Sequence, residues 1–303
     1  MIARMTEHQR GSSAPEFWLY LPQMRMDLAT IRARAAAAEA AGFAGVALMD
    51  HLAPPGLPSA PMYDAMTTAA AVVTATDTLR VGHLCLAVSF RHPAVLAREV
   101  VGLDHLSGGR FELGVGWGSV PDELARFGLP DEDAATRAAR LTECLEILRA
   151  LFTGEVVDHE GRFWTLRGAQ QLPVPLGHVP IVIGGAGPKL TMPQVARFAD
   201  WWNCPSYGVD RLAELLPLAG TARVSTQHPV GLARTAAEVA DVEALAHKRF
   251  RWWGGLVTGT PDTVAGRFAE LAGRGVERFY VPFTDFAPVE TIELFGREVI
   301  ARF

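Results

Sequence analysis

An acid and a histidine, Asp50 and His51, directly follow an apolar run at residues 45–49. An imidazole can take up or release a proton near neutral pH, and a neighbouring carboxylate can set its charge state. In a less specific interpretation, Asp50 caps the next helical turn and His51 fills a loop. Because the pair comes where a strand is expected to end, it predicts proton transfer at this position.

A glycine-rich segment, Gly-Gly-Ala-Gly-Pro-Lys at residues 184–189, lies between an apolar run and a helical pattern. Glycines let the backbone approach a ligand closely, and amides at the start of a helix attract phosphate. The segment is not a Walker A loop, because Pro188 separates Gly187 from Lys189. It predicts a phosphate-binding turn, with a plain strand-to-helix turn as the alternative. The candidate contacts are Gly184, Gly185, Ala186 and Gly187.

A second glycine cluster, Gly-Val-Gly-Trp-Gly at residues 114–118, follows another apolar run. It lacks the G-x-G-x-x-G spacing of a dinucleotide-binding turn, and no ribose-binding acid stands about 20 residues further on. Two interpretations remain open. The glycines, Gly116 among them, clear space for a flat ring, or they relieve crowding where a strand ends inside a barrel.

Apolar runs alternate with helical patterns along the whole chain, without a break in composition. This alternation is typical of a parallel sheet covered by helices, and eight units favour an α/β fold, the (β/α)8 TIM barrel. A two-strand excursion over residues 155–172 predicts a small insertion after the fourth unit, and residues 1–303 are expected to form a single domain. The predicted strands lie at residues 17–21, 45–49, 81–88, 111–115, 181–183, 201–202, 229–233 and 279–282.

Composition narrows the class of protein further. With 49% hydrophobic and 20% charged residues the chain can form a large core. A net charge of −5 argues against a nucleic acid or an anionic membrane as the main partner. The first fifteen residues lack an apolar secretion signal, and the cysteines Cys85, Cys144 and Cys204 are sparse, so we expect a cytoplasmic protein. No histidine spacing indicates a metal site; His83, His92 and His105 are expected to pack or to cap helices.

With these residues laid out, the chain resembles the luciferase-like monooxygenase superfamily, and most of all its branch that depends on the deazaflavin coenzyme F420. The blocks that carry the resemblance run through nearly the whole barrel. They are residues 50–51, residues 90–97 leading to 103–116, residues 180–189 and residues 259–264.

The resemblance implies a cofactor lying across the top of the barrel. It implies a non-proline cis peptide at Leu84–Cys85 behind the cofactor ring, with Asp50 touching the ring and His51 handling the proton. The loop from Gly184 to Gly187 would receive the cofactor phosphate. Coenzyme F420 is the expected cofactor and FMN the alternative, with Lys189 and Arg91 available to the anionic tail.

Two positions depart from the sugar-phosphate dehydrogenases of that branch. Pro55 stands where they have a tryptophan, and Ser119 stands where they have a glutamate acid. The resemblance therefore favours hydride transfer between the deazaflavin and some other small organic substrate. The alternatives are an FMN-dependent monooxygenase with a flavin reductase partner and a barrel that binds cofactor without catalysis. Family members often form homodimers.

Overall fold

The structure, a computed structural model, describes residues 14–118, 120–130, 132–251 and 253–303. Its strands are β1 Glu16–Tyr20, β2 Gly45–Leu48, β3 Arg80–His83, β4 Leu86–Ala87, β5 Phe111–Gly116, β6 Val157–Glu160, β7 Thr165–Ala169, β8 Ile181–Gly184, β9 Trp201–Cys204, β10 Arg223–Gln227, β11 Val230–Leu232, β12 Val257–Gly259 and β13 Arg278–Val281. Its α-helices are α1 Leu28–Ala40, α2 Ala65–Val73, α3 Pro93–Ser107, α4 Pro121–Arg126, α5 Ala134–Leu151, α6 Met192–Phe198, α7 Leu212–Leu215, α8 Val239–Phe250, α9 Pro261–Gly273 and α10 Val289–Glu298.

The parallel strands close into a barrel. Around it the order is β3-β2-β1-β13-β10-β9-β8-β5, and β5 pairs back with β3. The short strand β4 continues the line of β3 and pairs with β5, so β3 and β4 together form the third strand of an eight-strand barrel. The predicted (β/α)8 fold is confirmed.

Alternation along the strands separates two apolar layers. Phe17 and Leu19 of β1 face the helices, whereas Trp18 and Tyr20 face the barrel interior with Tyr280. Lower in the interior, Arg278 is fully buried between the rings of Trp18 and Trp201, at 4.3 and 3.6 Å, and its guanidinium binds Glu112 and Glu16. Side chains therefore fill the barrel, and space for a ligand lies at its carboxyl-terminal mouth.

The seventh barrel strand was predicted wrongly. Residues 229–233 do not enter the barrel: β11 pairs with β12 beside it, and the barrel strand is β10, which pairs with β9 and β13. Along β10 the inward positions carry the polar residues Arg223, Ser225 and Gln227, so the strand lacks the apolar run that marks the others. The more apolar segment after it was mistaken for the strand.

The predicted insertion is present as an antiparallel hairpin of β6 and β7. It is tied to α5 by Glu143, whose carboxylate accepts hydrogen bonds from the backbone N–H groups of Phe163 and Trp164. The single-domain organisation of residues 1–303 stays a prediction. Within the part of the chain that the structure describes, no helix is long and apolar enough to cross a membrane.

Candidate active site

A cavity of about 890 Å³ lies at the carboxyl-terminal mouth of the barrel. Pockets of this size commonly hold cofactors and drug-sized ligands. The structure brings nine of the residues that the sequence marks as site candidates to this one cavity. The residues are Asp50, His51, Leu84, Cys85, Gly116, Gly184, Gly185, Ala186 and Gly187.

His51 is paired with a carboxylate. Its Nδ1 lies 2.8 Å from Oε2 of Glu123, which is 5% exposed and also lines the cavity. The second oxygen, Oε1, accepts hydrogen bonds from the backbone N–H groups of Leu52 and Ala53, the latter at 3.0 Å. A carboxylate oxygen accepts, so Nδ1 donates, and the lone pair of the neutral ring is then on Nε2. Glu123 thus fixes both the loop and the tautomer of the histidine.

The sequence did not identify Glu123. It lies in the first turn of α4, four positions beyond Ser119. Ser119 is the position at which the related dehydrogenases have a glutamate. Ser119 itself lies outside the described residues. The sequence signal that could have identified Glu123 is an acidic residue in the first turn of a short helix soon after a barrel strand. An acid in that position more often only stabilises the helix dipole. Only the fold brings α4 beside the loop after β2.

Glu123→Gln is expected to lower turnover by about 10- to 100-fold. The substituted side chain can still accept from Leu52 and Ala53 through its carbonyl oxygen. Its amide N–H, however, would donate to Nδ1 of His51 and move the ring proton to Nε2. Ligand affinity and thermal stability should stay near wild type, because the packing and loop hydrogen bonds persist. Steady-state kinetics with ligand titration and a melting curve test this, and unchanged turnover would show that the tautomer is irrelevant.

Asp50 lines the same cavity, but both of its oxygens already have partners. Oδ2 accepts from the backbone N–H of Ala87 at 2.8 Å, and the guanidinium of Arg91 binds both oxygens at 2.6 and 3.0 Å. Arg91 also pairs with Asp64 and Glu99. Arg91 is therefore held by acidic side chains beside the cavity, which corrects the expectation that it is available to an anionic tail. Contact between Asp50 and a cofactor ring stays a prediction.

The Leu84–Cys85 peptide bond is cis, as the resemblance implied. Burial raises the pKa of the Cys85 thiol to about 12, so this cysteine is a neutral wall of the cavity. Gly184 faces it closely: a methyl group on Gly184 would lie 3.2 Å from Cys85 Sγ. A side chain at residue 184 would occupy the space beside this step of the backbone.

The glycine-rich loop between β8 and α6 lines the cavity. Gly185 N–H donates to the carbonyl of Asn203 at 3.0 Å, which fixes the start of the loop. The N–H groups of Ala186 and Gly187 have no acceptor among the residues that the structure describes. Lys189 is exposed and lines the cavity. These groups provide donors and positive charge for a phosphate.

Arg137, in the first turns of α5, also lines this cavity and was not identified from the sequence. It is 7% exposed, lies over the ring of Trp117, and donates through Nη1 to the Glu132 carbonyl at 2.7 Å. Its buried Nε has no hydrogen-bond partner in the described parts of the chain. The carboxylate of Glu132 is bound to Arg140 instead. A buried guanidinium with an unused donor fits an anionic ligand group.

The two interpretations of the glycine cluster concern different residues: the structure confirms crowding at Gly114, and room for a ring at Gly116 stays a prediction. A methyl group on Gly114 would lie 1.6 Å from the backbone oxygen of His83, so this glycine relieves crowding between β3 and β5. A methyl group on Gly116 would meet Cys85 Cβ at an ordinary 3.6 Å, and Gly116 lines the cavity. Gly116 is thus the glycine of this cluster that remains a candidate for contact with a ligand.

The three histidines that the sequence assigned to packing or capping have structural roles, as predicted. His92 caps α3 by accepting from the Ala94 N–H, and His105 donates to the Val174 carbonyl at 2.8 Å. His83 is buried, and the loss of hydration lowers its pKa to about 4. None of the three lines the cavity.

Known proteins resemble this chain in sequence and fold. An F420-dependent glucose-6-phosphate dehydrogenase of Rhodococcus erythropolis is 32% identical over 213 residues, 69% of this chain and 60% of the relative. The structure of an F420-dependent secondary alcohol dehydrogenase with an F420–acetone adduct has a TM-score of 0.81 at 16% identity, and the match covers 95% of this chain and 99% of that one.

The oxygenating constituent of 3,6-diketocamphane monooxygenase from Pseudomonas putida, in complex with FMN, has a TM-score of 0.78 at 18% identity. That match covers 96% of this chain and 99% of the monooxygenase. At such identities the two structures share the fold with this chain. The sequence profile of the luciferase-like monooxygenases matches residues 2–222, well over half of the chain. The chain therefore belongs to the luciferase-like monooxygenase family.

Proposed function

We propose that this protein is an F420-dependent oxidoreductase that transfers hydride between the deazaflavin and a small organic substrate. The observation that carries the proposal is the His51–Glu123 pair, because it places a proton acceptor in the same cavity as the glycine-rich loop. The sequence relative named as F420-dependent supports the choice of cofactor. The expected cytoplasmic location and a homodimeric state belong to the proposal as well.

The residues present fit such a cofactor. The free N–H groups of Ala186 and Gly187, together with the unpartnered Nε of Arg137, would hold the phosphate of its tail. The side-chain-free positions at Gly116 and Gly184 leave room for a flat ring beside Leu84–Cys85. When bound, the deazaflavin supplies a carbon centre that accepts or donates a hydride, and its lack of the flavin nitrogen favours this over oxygen chemistry.

His51 performs the proton half of the reaction. A hydroxyl becomes acidic as its carbon loses hydride, and Nε2 of His51 can accept that proton. The carboxylate of Glu123 stabilises the charged imidazolium through Nδ1–H. In the opposite direction the same imidazolium returns the proton to the carbonyl oxygen. The substrate thus exchanges one hydride and one proton, and His51 accounts for the proton.

An FMN-dependent monooxygenase that works with a flavin reductase is the second candidate. The FMN-bound monooxygenase with the same fold favours it. Retention of a hydrogen-bonded acid–base pair in the cavity argues against a barrel that only binds cofactor.

Titration of the purified protein with F420 and with FMN, followed by intrinsic tryptophan fluorescence, tests the proposal. We expect F420 to bind more tightly. Arg137→Gln should weaken binding of either phosphate-bearing cofactor by about 10- to 100-fold, the usual effect of losing a charged hydrogen bond. Binding of riboflavin, which has the ring without the phosphate, should not change.

The matched control for this titration is Arg32→Gln, a change at an exposed position of α1. It should leave all three affinities at the wild-type value. Tighter binding of FMN than of F420 would move the assignment to the monooxygenase.

A further inference from the structure

We propose that Asn203 and Gln227, here called the carboxamide pair, bind the imide edge of the cofactor ring. This edge is the pyrimidinedione side, where one N–H stands between two carbonyl groups. The inference rests on the proposed function, and it assigns ring recognition to two residues on the wall of the barrel opposite the catalytic histidine.

The fold places both side chains inside the mouth of the barrel. Trp201 of β9 lies in the interior cluster and Trp202 in the outer one, so Asn203 faces inward again. Asn203 pairs with Ser225 in register, and Gln227 stands two positions further along β10, on the same inner face. Asn203 is 2% exposed, and both carboxamides line the cavity.

The hydrogen-bonding capacity of the carboxamide pair is largely unused. Asn203 Nδ2 has one long contact, 3.4 Å to Ser225 Oγ, and Ser225 itself donates to the Trp202 carbonyl. The side chain of Gln227 has no hydrogen bond to any described residue. The carboxamide atoms of Gln227 are not among the enclosed polar atoms without a partner, and Gln227 is half-buried, so a ligand in the cavity can reach them.

A glutamine elsewhere at the mouth shows the contrasting, structural arrangement. Gln23 is fully buried, its Nε2 donates to the carbonyl of Met49 at 2.5 Å, and its Oε1 accepts from the Met49 N–H at 3.1 Å. Both ends of that carboxamide are thus used to hold the ends of β1 and β2 together. The carboxamide pair has no such role, so its polar atoms are available to a ligand.

The mouth ends of β9 and β10 carry uncharged side chains. Two cations also line the cavity, but from loops: Lys189 follows β8, and Arg211, which pairs with Glu214, ends the turn after β9. The other charged side chains form the pairs Asp50–Arg91 and His51–Glu123, or lie on α5, as Arg137 does. Each carboxamide carries an uncharged N–H donor and an uncharged oxygen acceptor. An imide edge is a matching ligand, because it is uncharged and has both an N–H donor and carbonyl acceptors. A single carbonyl or hydroxyl of a substrate would leave most of these groups unsatisfied.

Position also favours the ring over the substrate. In the eight-strand order β9 lies four strands away from β2, so Asn203 is on the wall opposite His51. The substrate must react beside His51. A methyl group placed on Gly184 would lie 4.0 Å from Asn203 Cβ and 3.2 Å from Cys85 Sγ. Asn203 is therefore next to the backbone step against which the ring is expected to lie.

The test uses 5-deazaflavin mononucleotide and its N3-methyl derivative, which blocks the N–H of the imide edge. Binding to the whole apoprotein is measured by fluorescence titration. We expect N3-methylation to weaken binding to the wild type by about 10-fold or more, the effect of one lost buried hydrogen bond. In Asn203→Ala/Gln227→Ala the unmethylated compound should lose a similar factor, and the two compounds should bind within about twofold of each other.

Gln170→Ala, which removes an exposed carboxamide on the surface, is the matched control and should behave as wild type. Gln227→Glu keeps the size of the side chain and guards against a folding defect in the double variant. It should also weaken binding, because a carboxylate offers no donor to the ring carbonyls.

An equal penalty for N3-methylation in the wild type and the double variant would overturn the inference, while the proposed function would stand. The inference would also be overturned by a double variant that binds both compounds as the wild type does but has a raised KM for substrate. If neither compound binds to the wild type, the proposed function fails, and this inference fails with it.

Discussion

Replacing His51 with alanine is expected to lower turnover by roughly 10²–10⁴-fold, the usual contribution of general acid–base catalysis. Cofactor affinity should stay within a few-fold of wild type, because the phosphate and ring contacts come from other strands. The reason lies in the geometry. Nδ1 is held by Glu123 at 2.8 Å, so Nε2 is the nitrogen left to exchange a proton in the cavity. Single-turnover kinetics with a substrate, together with cofactor titration, measure the two effects separately.

His178→Ala provides the matched control for that measurement. His178 also pairs with a carboxylate, Asp200 at 2.8 Å, but its side chain is 72% exposed and does not line the cavity. Its removal should leave turnover unchanged. Turnover of His51→Ala near the wild-type value would make His51 a loop residue, and a collapse of cofactor affinity would make it a binding residue.

Replacing Gly114 with alanine is expected to destabilise the barrel by about 3 kcal/mol or more, at the upper end of the usual cost of overpacking a core. The added methyl group would lie 1.6 Å from the backbone oxygen of His83. Since the clash is with backbone, a side-chain rotation cannot relieve it, and β3 and β5 must move apart. Urea unfolding followed by circular dichroism measures the change in the free energy of unfolding.

Gly116→Ala, two residues along the same strand and on the same face, is the matched control. Its methyl group would meet Cys85 Cβ at 3.6 Å, an ordinary contact, so its stability should stay near wild type. Cofactor affinity should fall instead, because residue 116 lines the cavity. If Gly114→Ala were as stable as the wild type, the close approach of β3 and β5 described above would be wrong.

Features that depend on residues close together in the sequence could be predicted from it. Seven of the eight barrel strands follow from apolar runs, and Asp50, His51 and the loop at residues 184–187 all reach the cavity because strand ends converge there. The cis peptide at Leu84–Cys85 is confirmed, and it came from the family resemblance and not from local pattern.

Features that depend on distant contacts were missed. Glu123 is 72 residues from His51 in the chain, and no spacing rule connects a helix start to a loop that far away. Arg137 looks like any charged residue of an amphipathic helix, and only the fold shows that it is buried. The polar inner face of β10 concealed the seventh strand, and that face supplies one half of the carboxamide pair.

A crystal structure of the protein with oxidised F420 tests the central claim most directly. We expect the phosphate within about 3 Å of the Ala186 and Gly187 N–H groups and of Arg137 Nε. The ring should lie against Leu84–Cys85, with Nε2 of His51 directed toward the space above the reactive carbon. A cofactor bound outside this cavity, or a phosphate away from the glycine-rich loop, would contradict the account.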